Sequence, residues 1–147
     1  MARKVFFSFE YSDVWRVMVV RNSWVAQGRR KADFVDAARV EKIRRQGDQA
    51  IMRWIDSQLK GTSVTVVLVG SRTCNSCWVK YEIKKSIERD NGLLSIDISK
   101  IPDVHKNISE PCGRMLPRGY EFYHWKYDNG YKNMGKWIEA AAKDANR

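Results

Sequence analysis

The segment CNSCWVKYE, from Cys74 to Glu82, carries two spacings that could support chemistry, and they predict different functions. Cys74 and Cys77 form a Cys-x-x-Cys pair, which could hold a metal ion or act as a redox dithiol. Trp78 and Glu82 are four residues apart, so in a helix they lie on the same face. A carboxylate held beside an aromatic ring and facing a cleft is the partly desolvated kind of group that catalysis uses.

The cysteine and histidine pattern favours neither a metal site nor a disulfide framework. The chain has three cysteines, an odd number, and Cys112 stands apart from the pair. His105 and His124 lie outside any spacing typical of zinc ligands, so half of such a site is missing. We therefore expect no metal, no disulfide framework and no oxidising compartment. A thioredoxin-like redox pair stays open as an alternative, because such pairs begin a helix directly after a strand.

The positive charge of the chain allows three kinds of surface. The formal net charge is +10, and the local clusters are Arg29-Arg30-Lys31 and Arg44-Arg45. Because the remaining charge is dispersed, a solvated basic surface is favoured. Attraction of an anionic small ligand is the next alternative, and binding of nucleic acid is the least favoured.

The length and the hydrophobic pattern predict a cytoplasmic protein with a single domain over residues 1–147. Apolar residues are spread along the chain, which argues against disorder. No apolar run approaches the roughly 20 residues of a membrane-spanning helix, and no signal-peptide pattern opens the chain.

Hydrophobic periodicity predicts strands that alternate with helices along the chain. The predicted strands are 4–9, 34–37, 63–69, 93–98 and 120–127, and the predicted helices are 13–25, 41–59, 76–89 and 134–145. Residues 63–69 are almost wholly apolar and β-branched, which is typical of a parallel strand covered on both faces. Segment 99–119 contains all three prolines and is predicted to be an irregular loop. The order predicts an α/β fold with a mostly parallel central sheet of about five strands and helices on both faces.

Two helices carry predicted core faces that bear on the site. The first is expected to bury a stripe formed by Val14, Val17, Met18, Trp24 and Val25. Arg21 falls inside this stripe, which is unusual for a charged residue. In the helix after the central strand, Val79, Ile83 and Ile87 are expected to face the core. Glu82 then lies at the margin of the buried surface, because its face is turned by about 100° from theirs.

A parallel sheet predicts where a ligand would bind. Ligands of such sheets bind at the carboxyl ends of the strands. The segments there are Ser8-Phe9-Glu10, Asp36-Ala37, Gly70-Ser71 and the start of the helix that carries Glu82. We expect them to meet along one edge. The Gly-x-Gly-x-x-Gly and P-loop patterns are absent, so a bound nucleotide would not be held by a Rossmann glycine loop.

Several motifs together resemble a known family. Residues 55–83 resemble the core of a TIR domain: a helix, an apolar strand closing in Gly-Ser, and a Trp-x-x-x-Glu motif on the next helix. The opening KVFFSFEYSD similarly looks like the first TIR box. The combination of FFSFEY, WRVMVVRNSWV, FVDA, TSVTVVLVGS and WVKYEIKKSIE resembles the TIR-like sensor proteins of Thoeris antiphage systems. The order of elements fits the flavodoxin-like TIR fold over nearly the whole chain.

The resemblance implies an activity and a set of site residues. Enzymatic TIR domains cleave the bond between nicotinamide and ribose in NAD, with the glutamate of the Trp-x-x-x-Glu motif as the catalytic residue, here Glu82. Thoeris TIR proteins recapture the ADP-ribose part intramolecularly and release a cyclic ADP-ribose isomer, which activates a separate NAD-depleting effector. NAD is then a substrate, and no cofactor is expected. The expected substrate contacts are Ser8, Phe9, Arg21, Asn22, Asp36, Ser71, Phe6, Trp78 and Tyr81.

The resemblance also implies partners. These are NAD, the downstream effector reached through the diffusible messenger, a phage-derived trigger protein and a small homo-oligomer, whereas membrane and nucleic acid are not expected. The connection 37–41 is short compared with that of adaptor-type TIR domains, so filament assembly through it is unsupported, and an isolated monomer and a small oligomer both stay open. Two alternative functions stay open. One is a non-catalytic TIR-like or receiver-like interaction domain in which Glu82 is structural, and the less favoured one is a nucleic-acid-binding module.

Overall fold

A parallel β-sheet forms the centre of the computed structural model, which describes residues 3–28 and 42–147. Its strands are β1 Val5–Phe9, β2 Val64–Val69, β3 Gly92–Asp97 and β4 Phe122–His124. Within the described ranges the spatial order is β1-β2-β3-β4 and every neighbouring pair is parallel. The predicted α/β class is therefore confirmed, and the arrangement is consistent with a flavodoxin-like TIR fold. The strand predicted at 34–37, with Asp36, and the connection 37–41 lie outside the described residues.

Helices cover both faces of this sheet. They are α1 Val14–Ala26, α2 Asp48–Leu59, α3 Cys77–Glu88 and α4 Gly130–Asp144, with 3-10 turns at Tyr11–Asp13 and Thr73–Asn75. The helix predicted at 41–59 is interrupted, because Gly47 adopts a φ of 95° that a helix does not allow. Over residues 3–28 and 42–147, no helix has the length and apolar character needed to cross a membrane.

The alternation of side chains along β1 divides the core into two layers. Val5 and Phe7 point to the face covered by α1 and α4, where they join the largest apolar cluster. Phe6 points to the opposite face and packs against α2. Because successive strand residues point to opposite faces, Ser8 lies on the same side as Phe6, towards α2 and α3.

The buried face of α1 differs from the prediction. Its buried residues are Arg16, Val17, Val20, Ser23 and Trp24, whereas Met18 and Val25 are exposed. The charged residue inside the buried stripe is therefore Arg16 and not Arg21. Arg16 is tolerated there because its guanidinium donates to Asp13 at 3.3 Å and to the carbonyl oxygens of Ile101 at 2.7 Å and Asn107 at 3.0 Å.

Segment 99–119 contains neither helix nor strand, as predicted, yet it is fastened to the sheet. Cys112 forms a disulfide with Cys74, and the Cys112 N–H donates to the Gly70 carbonyl oxygen at 3.0 Å. The expectation that the chain has no disulfide and that Cys112 stands alone is therefore wrong. Cys77 is the free, exposed cysteine. The two bonded cysteines are 38 residues apart, so their pairing depends on a tertiary approach that local spacing does not reveal.

Candidate active site

The start of α3 is fixed by a local cap. Ser76 is the N-cap residue, and its hydroxyl oxygen accepts a hydrogen bond from the Val79 N–H at 3.2 Å. Such a cap satisfies one of the free N–H groups at the helix start. Trp78 and Glu82 consequently lie in the first two turns of α3, which packs against β1 and β2.

Glu82 belongs to the buried face of α3. Its neighbours on this face are Val79, Ile83 and Ser86, and Glu82 itself is only 8% exposed. Ile87, which was predicted to face the core, is 38% exposed, so the prediction that Glu82 lies at the margin is wrong. The buried face of α3 therefore includes Glu82 and Ser86 and not Ile87. The Ser86 hydroxyl group is paired there, since it forms a buried hydrogen bond of 2.7 Å with the hydroxyl group of Thr65 on β2.

Glu82 lines a pocket of about 630 Å³, a volume that includes the open space at its mouth. The lining residues are Phe6, Phe7, Phe9, Tyr11, Ile43, Arg44, Ile51, Trp54, Ile55, Ser76, Trp78 and Glu82. They come from β1 and the turn after it, from the region of α2, and from the start of α3. The walls are therefore mostly aromatic and aliphatic, with few polar groups, as is usual for small-molecule sites.

Three buried polar atoms in this region have no hydrogen-bond partner among the residues that the structure describes. They are Glu82 Oε2, Ser8 Oγ and Trp54 Nε1. Buried polar groups in folded proteins are nearly always paired, since an unpaired one has lost its water without compensation. A carboxylate oxygen, a hydroxyl group and an indole N–H left unpaired close to one pocket indicate a place where a polar ligand binds.

The ionisation of Glu82 is strongly perturbed by its surroundings. Burial raises its pKa to about 8, while the Ser8 hydroxyl and the positive charge of Arg44 act in the opposite direction. Desolvation is the largest of these effects, because the charged form loses its hydration in an apolar pocket. Near neutral pH the carboxyl group of the empty pocket is therefore mostly protonated. Perturbed carboxyl groups of this kind cluster at functional sites.

Two comparisons with known proteins identify the family. The family model for "Thoeris protein ThsB, TIR-like domain" matches residues 6–103. This chain belongs to that family. A protein of Bacillus cereus (strain MSX-D12), named "Putative cyclic ADP-D-ribose synthase ThsB1", is 40% identical over 149 residues, covering 95% of this chain and 76% of that protein. The resemblance seen in the sequence motifs is thereby confirmed.

The part of the chain matched by the ThsB TIR-like model includes the pocket. Residues 6–103 contain all of the lining residues, together with Ser8 on β1. Strand β4, α4 and the disulfide partner Cys112 lie beyond the matched region. The pocket is thus built from the shared part of the ThsB TIR-like fold.

Five of the sequence-predicted residues of this ThsB TIR-like chain come together. Phe6, Phe9, Trp78 and Glu82 line the pocket, and Ser8 is close enough to Glu82 to lower its pKa. Their role in substrate binding stays a prediction, but their proximity follows from the topology. β1 presents its side chains at the carboxyl edge of the sheet, directly opposite the start of α3.

The remaining predicted residues lie elsewhere. Tyr81 does not line the pocket. Its ring packs edge-on against the Trp78 ring, with 6.0 Å between the ring centroids. Ser71 follows β2 at the carboxyl edge and is exposed. Arg21 and Asn22 lie on α1, which covers the opposite face of the sheet, and neither lines the pocket. Their substrate contacts stay predictions, and Asp36 lies outside the described residues.

Sequence reasoning missed several residues that line the pocket. Tyr11 lies two residues after the end of β1, and Trp54 lies within the predicted helix 41–59. Arg44 was noticed as part of a basic cluster, and it lines the pocket next to Ile43. A tryptophan or an arginine signals a site only when its partners are known, and periodicity does not reveal partners.

Among residues 3–28 and 42–147, no group of three or more His, Cys, Asp or Glu side chains is arranged to hold a metal ion. Asp97 and His124 do pair at the ends of β3 and β4, with 2.8 Å between Oδ2 and Nδ1. This pair joins two neighbouring strands.

Proposed function

We propose that this protein cleaves the nicotinamide–ribose bond of NAD and closes the ADP-ribose part into a cyclic isomer that serves as a second messenger in antiphage defence. The observation that carries the proposal is the buried Glu82 carboxyl group, which has an unpaired oxygen in an aromatic pocket. The Bacillus cereus relative supports the cyclic product, because it is named as a cyclic ADP-D-ribose synthase.

Substrate binding would use the aromatic walls and would change the charge of Glu82. The nicotinamide ring of NAD is flat and positively charged, so it suits a pocket walled by Phe6, Phe9 and Trp78. A positive ring beside Glu82 favours its charged form and opposes the effect of burial. Glu82 would then lose its proton as the substrate enters and become the carboxylate that the reaction needs.

Bond cleavage would move charge from the ring to the sugar. The electron pair of the broken bond goes to the ring nitrogen, so nicotinamide leaves as a neutral molecule and positive charge develops on the ribose. A fixed carboxylate at Glu82 stabilises that charge electrostatically and can accept hydrogen bonds from ribose hydroxyl groups, as carboxylates do in glycoside hydrolysis.

Cyclisation would require that water be kept away from the activated ribose. An internal nucleophile of the ADP-ribose part must react before a water molecule does. The apolar pocket walls, including Phe6 and Ile55, favour this outcome because they bind water weakly. The phage-derived trigger, the effector and a small homo-oligomer stay predictions from the family resemblance.

The deciding experiment is chromatography of NAD incubated with lysate from phage-infected cells that express the parent chain, Glu82→Gln or Glu88→Gln. Glu88 is an exposed glutamate on the same helix, so Glu88→Gln is a matched control. We expect a cyclic ADP-ribose product with the parent and the control but none with Glu82→Gln. A parent that protects cells while NAD stays constant and no product forms would instead favour the interaction-domain alternative.

A further inference from the structure

Trp54 brings a hydrogen-bond donor to the pocket that the reaction described above does not use. Its Nε1 atom is buried, and its side chain lines the pocket together with Glu82 and Trp78. An indole N–H can only donate, so it needs an acceptor. Residues 3–28 and 42–147 provide none to this atom.

The packing of α2 does not explain the indole N–H. α2 buries Ile51, Ile55 and Leu59, and the Trp54 ring packs against this apolar cluster. The polar link between α2 and α3 is made elsewhere, by the Tyr81 hydroxyl, which donates to Asp56 Oδ1 at 3.0 Å. A phenylalanine ring at position 54 would keep an aromatic contact with this cluster, although it is smaller, and would bury no unpaired donor.

The indole N–H is a neutral hydrogen-bond donor, and this property indicates which part of a dinucleotide it would bind. Phosphate oxygens are charged and are bound best by charged donors. Ribose hydroxyl groups can donate to the Glu82 carboxylate, which is an acceptor. The nicotinamide carboxamide is neutral and planar, and its oxygen atom is a strong acceptor. Among the groups of NAD close to the bond that is cleaved, it is therefore the one that best matches a neutral donor in an aromatic wall.

We propose that the Trp54 indole N–H donates a hydrogen bond to the carboxamide oxygen of the nicotinamide ring and so orients the ring beside Glu82. This inference rests on the proposed function. Trp54 is then a substrate-binding residue that makes the pocket selective for pyridinium dinucleotides bearing a carbonyl group. The interaction also orients the leaving group, because it fixes the nicotinamide ring in the pocket while the bond to the ribose breaks.

The test measures binding without turnover in the full-length chain. Glu82→Gln serves as the background, with Trp54→Phe or Trp15→Phe added, and titration calorimetry gives the dissociation constants. Trp15 is 52% exposed on α1, so Trp15→Phe is a matched control for the loss of an indole. The ligands are NAD and the analogue in which a hydrogen atom replaces the carboxamide group. Melting temperatures check that each variant is folded.

The two ligands separate the possible outcomes. We expect Trp54→Phe to weaken NAD binding roughly tenfold, the loss of one hydrogen bond, and to leave binding of the analogue unchanged. Trp15→Phe should change neither. Equal weakening of both ligands, or weakening of neither, would overturn this inference while leaving the proposed function intact. Failure of the Glu82→Gln chain to bind NAD, together with failure of the parent chain to bind a non-cleavable carbocyclic NAD analogue, would overturn both.

Discussion

The carboxyl group of Glu82 on α3 lies beside the hydroxyl group of Ser8 on β1, across the interface between helix and sheet. Both side chains are buried, and within residues 3–28 and 42–147 Glu82 Oε2 and Ser8 Oγ have no hydrogen-bond partner. Burial raises the pKa of Glu82 to about 8, and Ser8 acts in the opposite direction with a smaller effect. Burial of Glu82 therefore sets the pH at which the pocket carries a negative charge.

NAD binding should depend on pH through Glu82. In the empty pocket Glu82 is protonated below about pH 8, and a positively charged nicotinamide ring favours the carboxylate. Affinity should therefore rise with pH up to about 8, by at most about tenfold per pH unit, and level off above it. Calorimetry with a non-cleavable carbocyclic NAD analogue should detect release of a proton on binding below pH 8. Glu82→Gln should bind with no such dependence, and an equally flat profile for the parent chain would contradict the assignment.

The free energy of unfolding should also depend on pH through the ionisation of Glu82. Its pKa is about 8 in the folded chain against 4.5 for an exposed glutamate, so between these values the folded state keeps a proton that the unfolded state loses. The contribution of Glu82 to stability is thus full below about pH 4.5 and is lost as pH rises towards 8.

Urea unfolding of the parent and Glu82→Gln measures this effect. The free energy of unfolding of Glu82→Gln minus that of the parent should grow with pH, by at most about 1.4 kcal/mol per unit. Glu88→Gln is the control, since Glu88 is exposed and pairs with Lys85 at 3.5 Å on the surface. A difference between Glu82→Gln and the parent that stays constant from about pH 5 to 8 would rule out the raised pKa of Glu82.

Removal of the disulfide should destabilise the chain. The bond closes a loop between Cys74 and Cys112, which are 38 residues apart, and cross-links of this kind contribute roughly 2–4 kcal/mol. Cys112→Ser should lower the free energy of unfolding by about this amount under oxidising conditions. Cys77→Ser should have little effect, because Cys77 is free and exposed.

The pairing of the cysteines can be checked independently. Thiol labelling of the native, oxidised chain followed by mass spectrometry should modify Cys77 and leave Cys74 and Cys112 unmodified. A label on Cys112 together with a bond between Cys74 and Cys77 would contradict the observed pairing.

Gly70 should resist substitution by alanine. A Cβ atom at this position would lie 2.2 Å from Oδ2 of the buried Asp13 side chain, which in turn pairs with Arg16. Gly70→Ala therefore forces Asp13 to move and should destabilise the fold by about 1–3 kcal/mol, as overpacking commonly does. Ser71→Ala, at the exposed neighbouring position, should stay within about 0.5 kcal/mol of the parent in the same urea experiment.

Local sequence patterns predicted much of the fold. The apolar run at 63–69 predicted β2, a strand buried along its whole length, and the 3.6-residue period predicted α3. Alternation along β1 is also a local property, so the side of the sheet on which Ser8 lies follows from that of Phe6. The Trp-x-x-x-Glu spacing placed Trp78 and Glu82 on one helix, within the same pocket.

The sequence by itself thus determined the approximate positions of the described strands, their parallel arrangement and the family of this chain, because these depend on periodicity and on contiguous motifs. Only the tertiary structure decided that Glu82 faces inwards with Ser86, that Arg16 is buried against Ile101, and that Cys74 bonds to Cys112. The physical reason is the same in each case. Burial of a polar or charged side chain depends on a partner far away in the chain, and periodicity counts such a residue as exposed until that partner is known.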